Sequence, residues 1–261
     1  IAAMPFPYAT IAGKSVHPLG LSATFGLDPA GAELALDSGM NYLFSPQRVK
    51  NKATRALLLD AVRRDRERFV VVGGPLAGFT RGTVRRACES ALKALGTDYL
   101  DVFQLYWLGK MSAWTEGTVE ELLKLRESGK VRALGVSIHD RPRAGRLAAD
   151  SPLDLLMIRY NAAHPGAESD IFPHLAEGKS VVAYTATSWR KLLKRPTGWA
   201  GPVPEAGHCY RFCLSNPHVD VTLCGPADRS QLQANLAAFD QGPLDEQEMA
   251  WMREFGSVVH G

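Results

Sequence analysis

Residues 95–107 read LGTDYLDVFQLYW, and this stretch decides how the rest of the chain is interpreted. A predicted helix ends at Leu95, and Gly96 follows at the point where a left-handed residue is needed to end a helix. The aliphatic and aromatic run from Tyr99 to Trp107 predicts a buried strand. A helix that turns through one glycine into a buried strand is part of an alternating βα pattern, and the same order recurs on both sides.

Eight strands alternate with eight helices along the chain. The predicted strands are Leu19–Ala23, Asn41–Ser45, Phe69–Gly73, Tyr99–Trp107, Ala133–Ser137, Leu153–Tyr160, Val181–Thr185 and Asp220–Cys224. The predicted helices are Pro29–Ser38, Asn51–Arg64, Arg81–Leu95, Thr118–Ser128, Arg143–Ala149, Asp170–Ala176, Ala206–Leu214 and Arg229–Phe239. This alternation predicts parallel strands with right-handed crossovers, and eight such units need about 250 residues. The sequence therefore predicts an α/β fold, one (β/α)8 TIM barrel domain over residues 1–261.

Two helix starts have a clear local cause. Asp28 precedes a proline at the first helical position, which is a typical N-terminal cap. A ninth helix is predicted over Leu244–Phe255, with Asp245 as its cap and Glu248 three residues later, a variant of the capping box.

The segment Arg195–Gly207, rich in proline and glycine, is predicted to be a long loop on the functional face of the barrel.

The composition excludes several classes of protein. Hydrophobic residues make up 46% of the chain and charged residues 22%, which is typical of a soluble globular protein. The net charge of +3 gives no indication of a nucleic-acid partner. The sequence contains no apolar run long enough for a membrane helix and no recognisable signal peptide, so a cytoplasmic protein is expected. The cysteines are predicted to be buried free thiols, and no metal site is predicted: Cys88, Cys209, Cys213 and Cys224.

The central stretch and several other motifs resemble the aldo-keto reductases. GKVRALGVS at residues 129–137 and LDSGMNYL at residues 36–43 are similar to family motifs, and so is the spacing of Gly225, Gln231 and Asn235. These matches occur in family order over nearly the whole chain. The resemblance implies a barrel of the aldo-keto reductase type, in which hydride moves from NADPH to a carbonyl group.

The family's four catalytic residues have no counterparts here. The resemblance implies an Asp, a Tyr, a Lys and a His at the barrel rim, where the Tyr donates a proton and the Lys lowers its pKa. The corresponding places hold Phe44, Val49, Gly74 and Tyr106. Because neither Phe nor Val can donate a proton, the sequence predicts a degenerate tetrad and altered chemistry.

The predicted cofactor pocket is partly retained. The resemblance assigns cofactor contacts to four residues: Ser137, Tyr184, Gln231 and Asn235. Three neighbouring places lack the family's polar or acidic side chain: Ile138, Met157 and Ala234. Losing such partners leaves polar cofactor atoms unpaired, which costs roughly 1–3 kcal/mol each. The resemblance therefore allows NADP(H) binding without requiring it.

Tyr106 and His139 are the candidate acid–base groups. Tyr106 is a possible proton donor from the place of the family's His, and His139 follows the fifth strand on the same rim. Helix capping is the structural alternative for His139. Three tryptophans are candidates for the wall of an aromatic substrate pocket: Trp107, Trp189 and Trp199.

Arg159 is the third candidate. It lies two residues after Met157 on one strand, so both side chains are expected to face the barrel interior. Because a buried unpaired guanidinium is costly, it is expected to meet an internal acid, with Asp101 and Glu33 as candidates, or an anion of the ligand. The alternative is a purely structural arginine bound to carbonyl groups or to such an acid.

Three functions agree with these observations. The first is an enzyme with altered, non-redox chemistry, such as dehydration, isomerisation or cyclisation of a polar or anionic molecule. The second is an NADP(H)-dependent oxidoreductase with a substitute proton donor, since hydride transfer needs only cofactor and geometry. The third is a non-catalytic ligand-binding or partner protein. All three imply a small-molecule ligand or a partner subunit, and the substrate and oligomeric state are not predicted.

Overall fold

The computed structural model describes residues 6–260. Its strands are β1 Ala9–Ile11, β2 Lys14–Val16, β3 Leu19–Leu21, β4 Tyr42–Phe44, β5 Val70–Gly73, β6 Leu100–Leu105, β7 Val131–Ile138, β8 Leu155–Arg159, β9 Ser180–Tyr184 and β10 Val221–Cys224. Its α-helices are α1 Pro29–Asp37, α2 Lys52–Arg64, α3 Arg81–Leu95, α4 Glu116–Glu127, α5 Arg141–Ala149, α6 Ala167–Asp170, α7 Ala206–Leu214, α8 Arg229–Phe239 and α9 Glu246–His260. Short 3-10 turns lie at Ala23–Phe25, Pro46–Arg48, Phe172–His174 and Lys191–Leu193.

Strands β3 to β10 close into a parallel barrel, in which β10 pairs with both β9 and β3. This confirms the predicted (β/α)8 architecture. Alternate residues of each strand face the two sides of the barrel wall, as the strand period of two requires. On β8, Leu155 and Met157 pack in the barrel interior, whereas Leu156 and Ile158 pack in the layer under the helices.

The hairpin of β1 and β2 covers the lower end of the barrel and was not predicted. Ile11 and Val16 pack with the interior residues of the barrel strands. The turn between the two strands uses Ala12 and Gly13, both with positive φ (52° and 78°), as a tight two-residue hairpin requires. Three-residue strands joined by Ala-Gly give too weak a pattern for sequence-based recognition.

A buried carboxylate joins this hairpin to the barrel. Asp101, at the start of β6, has no solvent exposure. One of its oxygens lies 2.8 Å from Nζ of Lys14 on β2, and the other lies 2.7 Å from Nη2 of Arg66 and accepts from the backbone N–H of Val71 at 2.9 Å. The prediction that Asp101 is available to pair with Arg159 is therefore wrong, because these groups at the lower end already occupy it.

The predicted caps form as expected. The side chain of Asp28 accepts from the N–H of Gly31 at 2.8 Å. Asp245 and Glu248 bond reciprocally through side chain and backbone at 2.7 and 3.1 Å, which is a complete capping box. The helix that they start continues to His260, five residues beyond the predicted end.

Two other expectations fail for identifiable reasons. The predicted helix Asp170–Ala176 is absent: Asp170 ends the short α6, and only a 3-10 turn follows, since Pro173 has no N–H to continue an α-helix. Trp199 does not wall a substrate pocket. Its ring packs on Phe255 of α9 with ring centroids 5.2 Å apart, and its indole N–H donates to the carbonyl of Pro202 at 2.8 Å.

The four cysteines are buried and unpaired, as predicted. Within residues 6–260, no helix is both long enough and apolar enough to cross a bilayer.

Candidate functional site

The carboxyl ends of the barrel strands surround a cavity of about 410 Å³, the mouth cavity. Its walls are mainly apolar and aromatic, as in most small-molecule sites. Its lining includes Phe44, Met157, Tyr184, Trp189 and Leu223. Tyr184, predicted to contact the cofactor, and Trp189, predicted to wall the pocket, therefore both reach this cavity. Active sites of such barrels lie at this end of the strands.

A second cavity of about 470 Å³, the distal cavity, lies between α7 and α8. Gln231 and Asn235, predicted to contact the cofactor, both line it. The two cavities share a set of lining residues, which we call the waist: Phe25, Thr187, Arg190, Tyr210 and Gly225. The two cavities therefore adjoin each other between the barrel mouth and α8, and we call the pair of them the trough.

The loop after β9 forms one wall of the trough and has a strained backbone. Thr185, Ser188, Trp189 and Arg190 all have positive φ, between 49° and 68°. Non-glycine residues in this region typically cost about 1 kcal/mol or more each, and such strain concentrates at functional sites. None of the sequence motifs indicated Arg190, because it lies in an irregular loop.

The four residues at the places of the family's catalytic residues do not form a polar cluster. The rings of Phe44 and Tyr106 lie 5.5 Å apart, next to Gly74. Val49 is fully buried in the outer core. A Cβ atom at residue 74 would overlap the carbonyl oxygen of Gln104 and lie 2.9 Å from Cζ of Tyr106. The ring of Tyr106 and this carbonyl therefore fill the space that any side chain at residue 74 would need.

Arg48, which no sequence pattern indicated as a site residue, brings a positive charge to this place. Its guanidinium donates to the carbonyl of Gly74 at 2.6 Å and lies 5.4 Å from the centre of the Tyr106 ring. It comes from the 3-10 turn after β4, immediately before Val49. No motif indicated Arg48, since its role depends on the missing side chain at residue 74.

The hydroxyl of Tyr106 is held by Ser45. The two oxygens are 2.6 Å apart, and only 8% of Tyr106 is exposed. Burial raises the pKa of Tyr106 above its ordinary value of 10.0, and the bond to Ser45 and the charge of Arg48 oppose this rise. Tyr106 therefore carries its proton at neutral pH.

His139 and Tyr184 form a hydrogen-bonded pair on the other side of the mouth. Nε2 of His139 and the hydroxyl oxygen of Tyr184 are 2.7 Å apart, and the exposed Trp107 packs edge-on against the His139 ring. Burial, and then the charge of Arg159, lower the pKa of His139 below 6.5. The imidazole is therefore neutral at pH 7.

Arg159 is half-buried at the end of β8 and lines a recess of about 10 Å³ beside the mouth cavity. His139, Arg141 and His164 line the same recess, which holds no more than one water. Burial and nearby positive charges, that of Arg159 first, lower the pKa of His164 to about 4. Among residues 6–260 no carboxylate forms an ion pair with Arg159, whereas Asp170 pairs with Arg141 at 3.0 Å.

Ser137, the fourth predicted cofactor contact, lines neither cavity. Its hydroxyl accepts from the backbone N–H of Trp107 at 2.7 Å, at the end of the strand that precedes His139. Of the four residues, the structure thus brings Tyr184, Gln231 and Asn235 to the trough, and the role of Ser137 stays a prediction.

Comparison with known proteins agrees with this architecture. A sequence profile of the Aldo/keto reductase family matches residues 32–197, and the chain belongs to that family. Methylglyoxal reductase YeaE of Escherichia coli is 33% identical over 137 residues, which are 51% of this chain and 42% of that protein. The chain therefore matches well under half the length of this curated relative.

Solved structures show the same fold. Aldo-keto reductase AKR11C1 from Bacillus halodurans superposes with a TM-score of 0.76 at 20% identity, covering 95% of this chain and 94% of that one. An aldo-keto reductase from Klebsiella pneumoniae in complex with NADPH gives 0.72 at 24% identity, covering 96% of each chain. At these identities the likeness concerns the fold alone.

The absence of a side chain at residue 74 leads to a stability prediction. Gly74→Ala is expected to lower the free energy of unfolding by about 1–3 kcal/mol, because the new methyl group overlaps the Gln104 carbonyl. Urea denaturation measures the change. Gly82→Ala, in α3 with only the flexible Arg86 nearby, is the control and is expected to gain about 0.5–1 kcal/mol. Equal stability of Gly74→Ala and the wild type would contradict the described packing.

Proposed function

We propose that the chain is an oxidoreductase that binds a nicotinamide dinucleotide along the trough and reduces a small carbonyl compound. The observation that carries this proposal is that the mouth and distal cavities adjoin at the five residues of the waist. A dinucleotide consists of two bulky ends joined by a pyrophosphate, and two adjoining cavities provide one space for each end. Family membership supports the same class of reaction.

The residues present fit such a cofactor. Gly225 lies at the waist without a side chain, and the exposed Arg190 beside it supplies a positive charge suited to a pyrophosphate. Asn235, 95% buried, and Gln231 would hold the adenine end in the distal cavity. Tyr184 would pack against the nicotinamide ring at the mouth. When bound there, the nicotinamide supplies a hydride to the carbonyl carbon.

Tyr106 is the proton donor in this proposal. Its ring contacts Phe44, which lines the mouth cavity, and its hydroxyl is bonded to Ser45. Arg48 returns the positive charge that the family's lysine provides, although from another segment. Tyr106 itself lines neither cavity, so this role requires its hydroxyl to exchange Ser45 for the carbonyl oxygen, to which it would donate a proton as negative charge develops.

Arg159 favours an anionic substrate. Its guanidinium has no carboxylate partner among the described residues, whereas Arg141 in the same recess is paired with Asp170. Unpaired positive charge at the rim of a cleft attracts anions. We therefore infer that the preferred substrate carries a carboxylate or phosphate group, with His139 and Tyr184 between that group and the cavity.

Two other functions remain predictions from the sequence. Non-redox chemistry and a non-catalytic binding role both lack a specific supporting contact in the trough. Failure of both NADH and NADPH to bind would favour these two functions over an oxidoreductase.

Arg190 provides the direct test of dinucleotide binding. Titration calorimetry with NADH and NADPH is expected to show saturable 1:1 binding of at least one of them. Arg190→Ala should weaken that binding about 10–100-fold, because a charge-assisted hydrogen bond is worth about 1.5–3 kcal/mol. Lys191→Ala is the matched control, since this neighbouring exposed cation lines neither cavity. Equal losses in the two variants would argue against the trough as the binding site.

Tyr106→Phe separates the two candidate proton donors. It should lower kcat/KM about 100-fold or more while leaving dinucleotide affinity unchanged, because the ring stays and only the acid is lost. His139→Gln should change kcat/KM much less. Since the pKa of Tyr106 is raised, the wild-type rate should not fall between pH 7 and pH 9 through loss of this proton. A larger loss in His139→Gln than in Tyr106→Phe would reassign the donor.

Arg159→Gln tests the charge of the substrate. Pyruvate and methylglyoxal have the same three-carbon skeleton, but pyruvate carries a carboxylate where methylglyoxal carries an aldehyde. They therefore serve as matched anionic and neutral probes. Arg159→Gln should lower kcat/KM for pyruvate about 10–100-fold and leave the value for methylglyoxal nearly unchanged. Equal changes for both probes would contradict an anion-binding role. Arg143→Gln, a partly exposed cation of α5 that does not line the recess, is the control.

A further inference from the structure

We propose that the trough selects NADH over NADPH, and that the carboxylate of Glu205 sets this preference. The inference rests on the proposed function, because it assigns the adenosine half of the dinucleotide to the distal cavity. NADPH differs from NADH only by a phosphate on the 2′-oxygen of that ribose. The charges that face the distal cavity therefore decide between the two molecules.

Four acidic or basic side chains line the distal cavity: Arg190, Glu205, His208 and Arg211. Glu205 is exposed at the start of α7, directly before the first helical residue. Nδ1 of His208 accepts from the backbone N–H of Glu205 at 3.2 Å, a role that only a neutral imidazole can take. His208 therefore adds no positive charge in this arrangement.

Arg211 has no donor left for a phosphate. Its guanidinium is 96% buried and forms a bidentate pair with Glu248, with both N–O distances 2.7 Å. The remaining donors reach the carbonyl groups of Gly242 and Pro243 and the side chain of Gln241. An arginine has five N–H groups, and here every one has an acceptor. Its charge is neutralised by Glu248 before any ligand arrives.

Two other arginines, Arg190 and Arg229, lie near the distal cavity. Arg190 belongs to the waist, where both cavities meet, so its charge faces the middle of the trough and suits the pyrophosphate. Arg229, at the start of α8, donates to the carbonyl of Ala30 at 3.2 Å and does not line the distal cavity. Apart from Arg190 at the waist, the described lining of the distal cavity therefore offers no unpaired cation, whereas the carboxylate of Glu205, which takes part in the capping box of α7, has no cationic partner among the described residues.

This distribution of charges discriminates between NADH and NADPH. A carboxylate accepts hydrogen bonds from a ribose hydroxyl, whereas recognition of a 2′-phosphate needs a cation such as arginine. Beside Glu205 a phosphate would meet a like charge without compensation, and that repulsion persists at the distances of a shared cavity. Ala234, which lines this cavity, has only a methyl group and cannot offset that repulsion.

The preference is tested by titration calorimetry of the full chain with NADH and with NADPH at one ionic strength. The wild type is expected to bind NADH at least about tenfold more tightly. Glu205→Gln, which keeps the shape and removes the charge, should narrow that ratio at least about threefold by improving NADPH binding. Ala234→Arg should reverse it by adding a cation at the cavity wall. Glu254→Gln, an exposed residue of α9 that lines neither cavity, is the charge-matched control and should leave the ratio unchanged.

The outcomes separate this inference from the proposed function. Tighter binding of NADPH than of NADH by the wild type overturns the inference and leaves dinucleotide binding intact. A preference for NADH that Glu205→Gln does not alter overturns the role of Glu205. Binding of neither dinucleotide overturns both the inference and the proposed function.

Discussion

The buried carboxylate of Asp101 is the interaction on which the architecture most depends. It receives Lys14 from the basal hairpin, Arg66 from the segment before β5, and a backbone N–H of β5. Burying one acid with two cations is favourable only when the geometry and the remaining hydrogen bonds are good, and removing one partner leaves an uncompensated charge. With its lower end closed in this way, the barrel has its cavity at the opposite end, where the strands terminate.

At that opposite end, the absence of a side chain at residue 74 accounts for much of the local structure. Gly74 leaves space for the ring of Tyr106, and Arg48 then bonds the exposed carbonyl of Gly74 and lies near that ring. Substitutions that look like separate losses in the sequence are therefore coupled through one contact. Tyr106 and Arg48 restore an acid beside a cation, although neither occupies the place that the family uses for that purpose.

The sequence predicted the repeating fold well, because hydrophobic runs, glycine stops and helix caps are local signals. Asp28 and the pair Asp245 and Glu248 cap their helices as expected. Contacts that depend on tertiary packing were not predictable: Trp199 turns away to the last helix, and Asp101 is occupied at the base. Tyr184, Gln231 and Asn235 lie in motifs, so the sequence could name them as cofactor contacts, a role that stays a prediction, whereas Arg48 and Arg190 lie in irregular turns without a motif.

The double role of Glu248 ties the last helix to the distal cavity. The same side chain caps the start of α9 and neutralises Arg211 at the wall of the distal cavity. If the first turn of α9 frayed, the guanidinium of Arg211 would lose its carboxylate partner, and the distal cavity would gain an unpaired positive charge. Helix α9 thus does more than pack against the barrel wall. Its folding determines whether Arg211 adds a net positive charge to a cavity that other parts of the chain form.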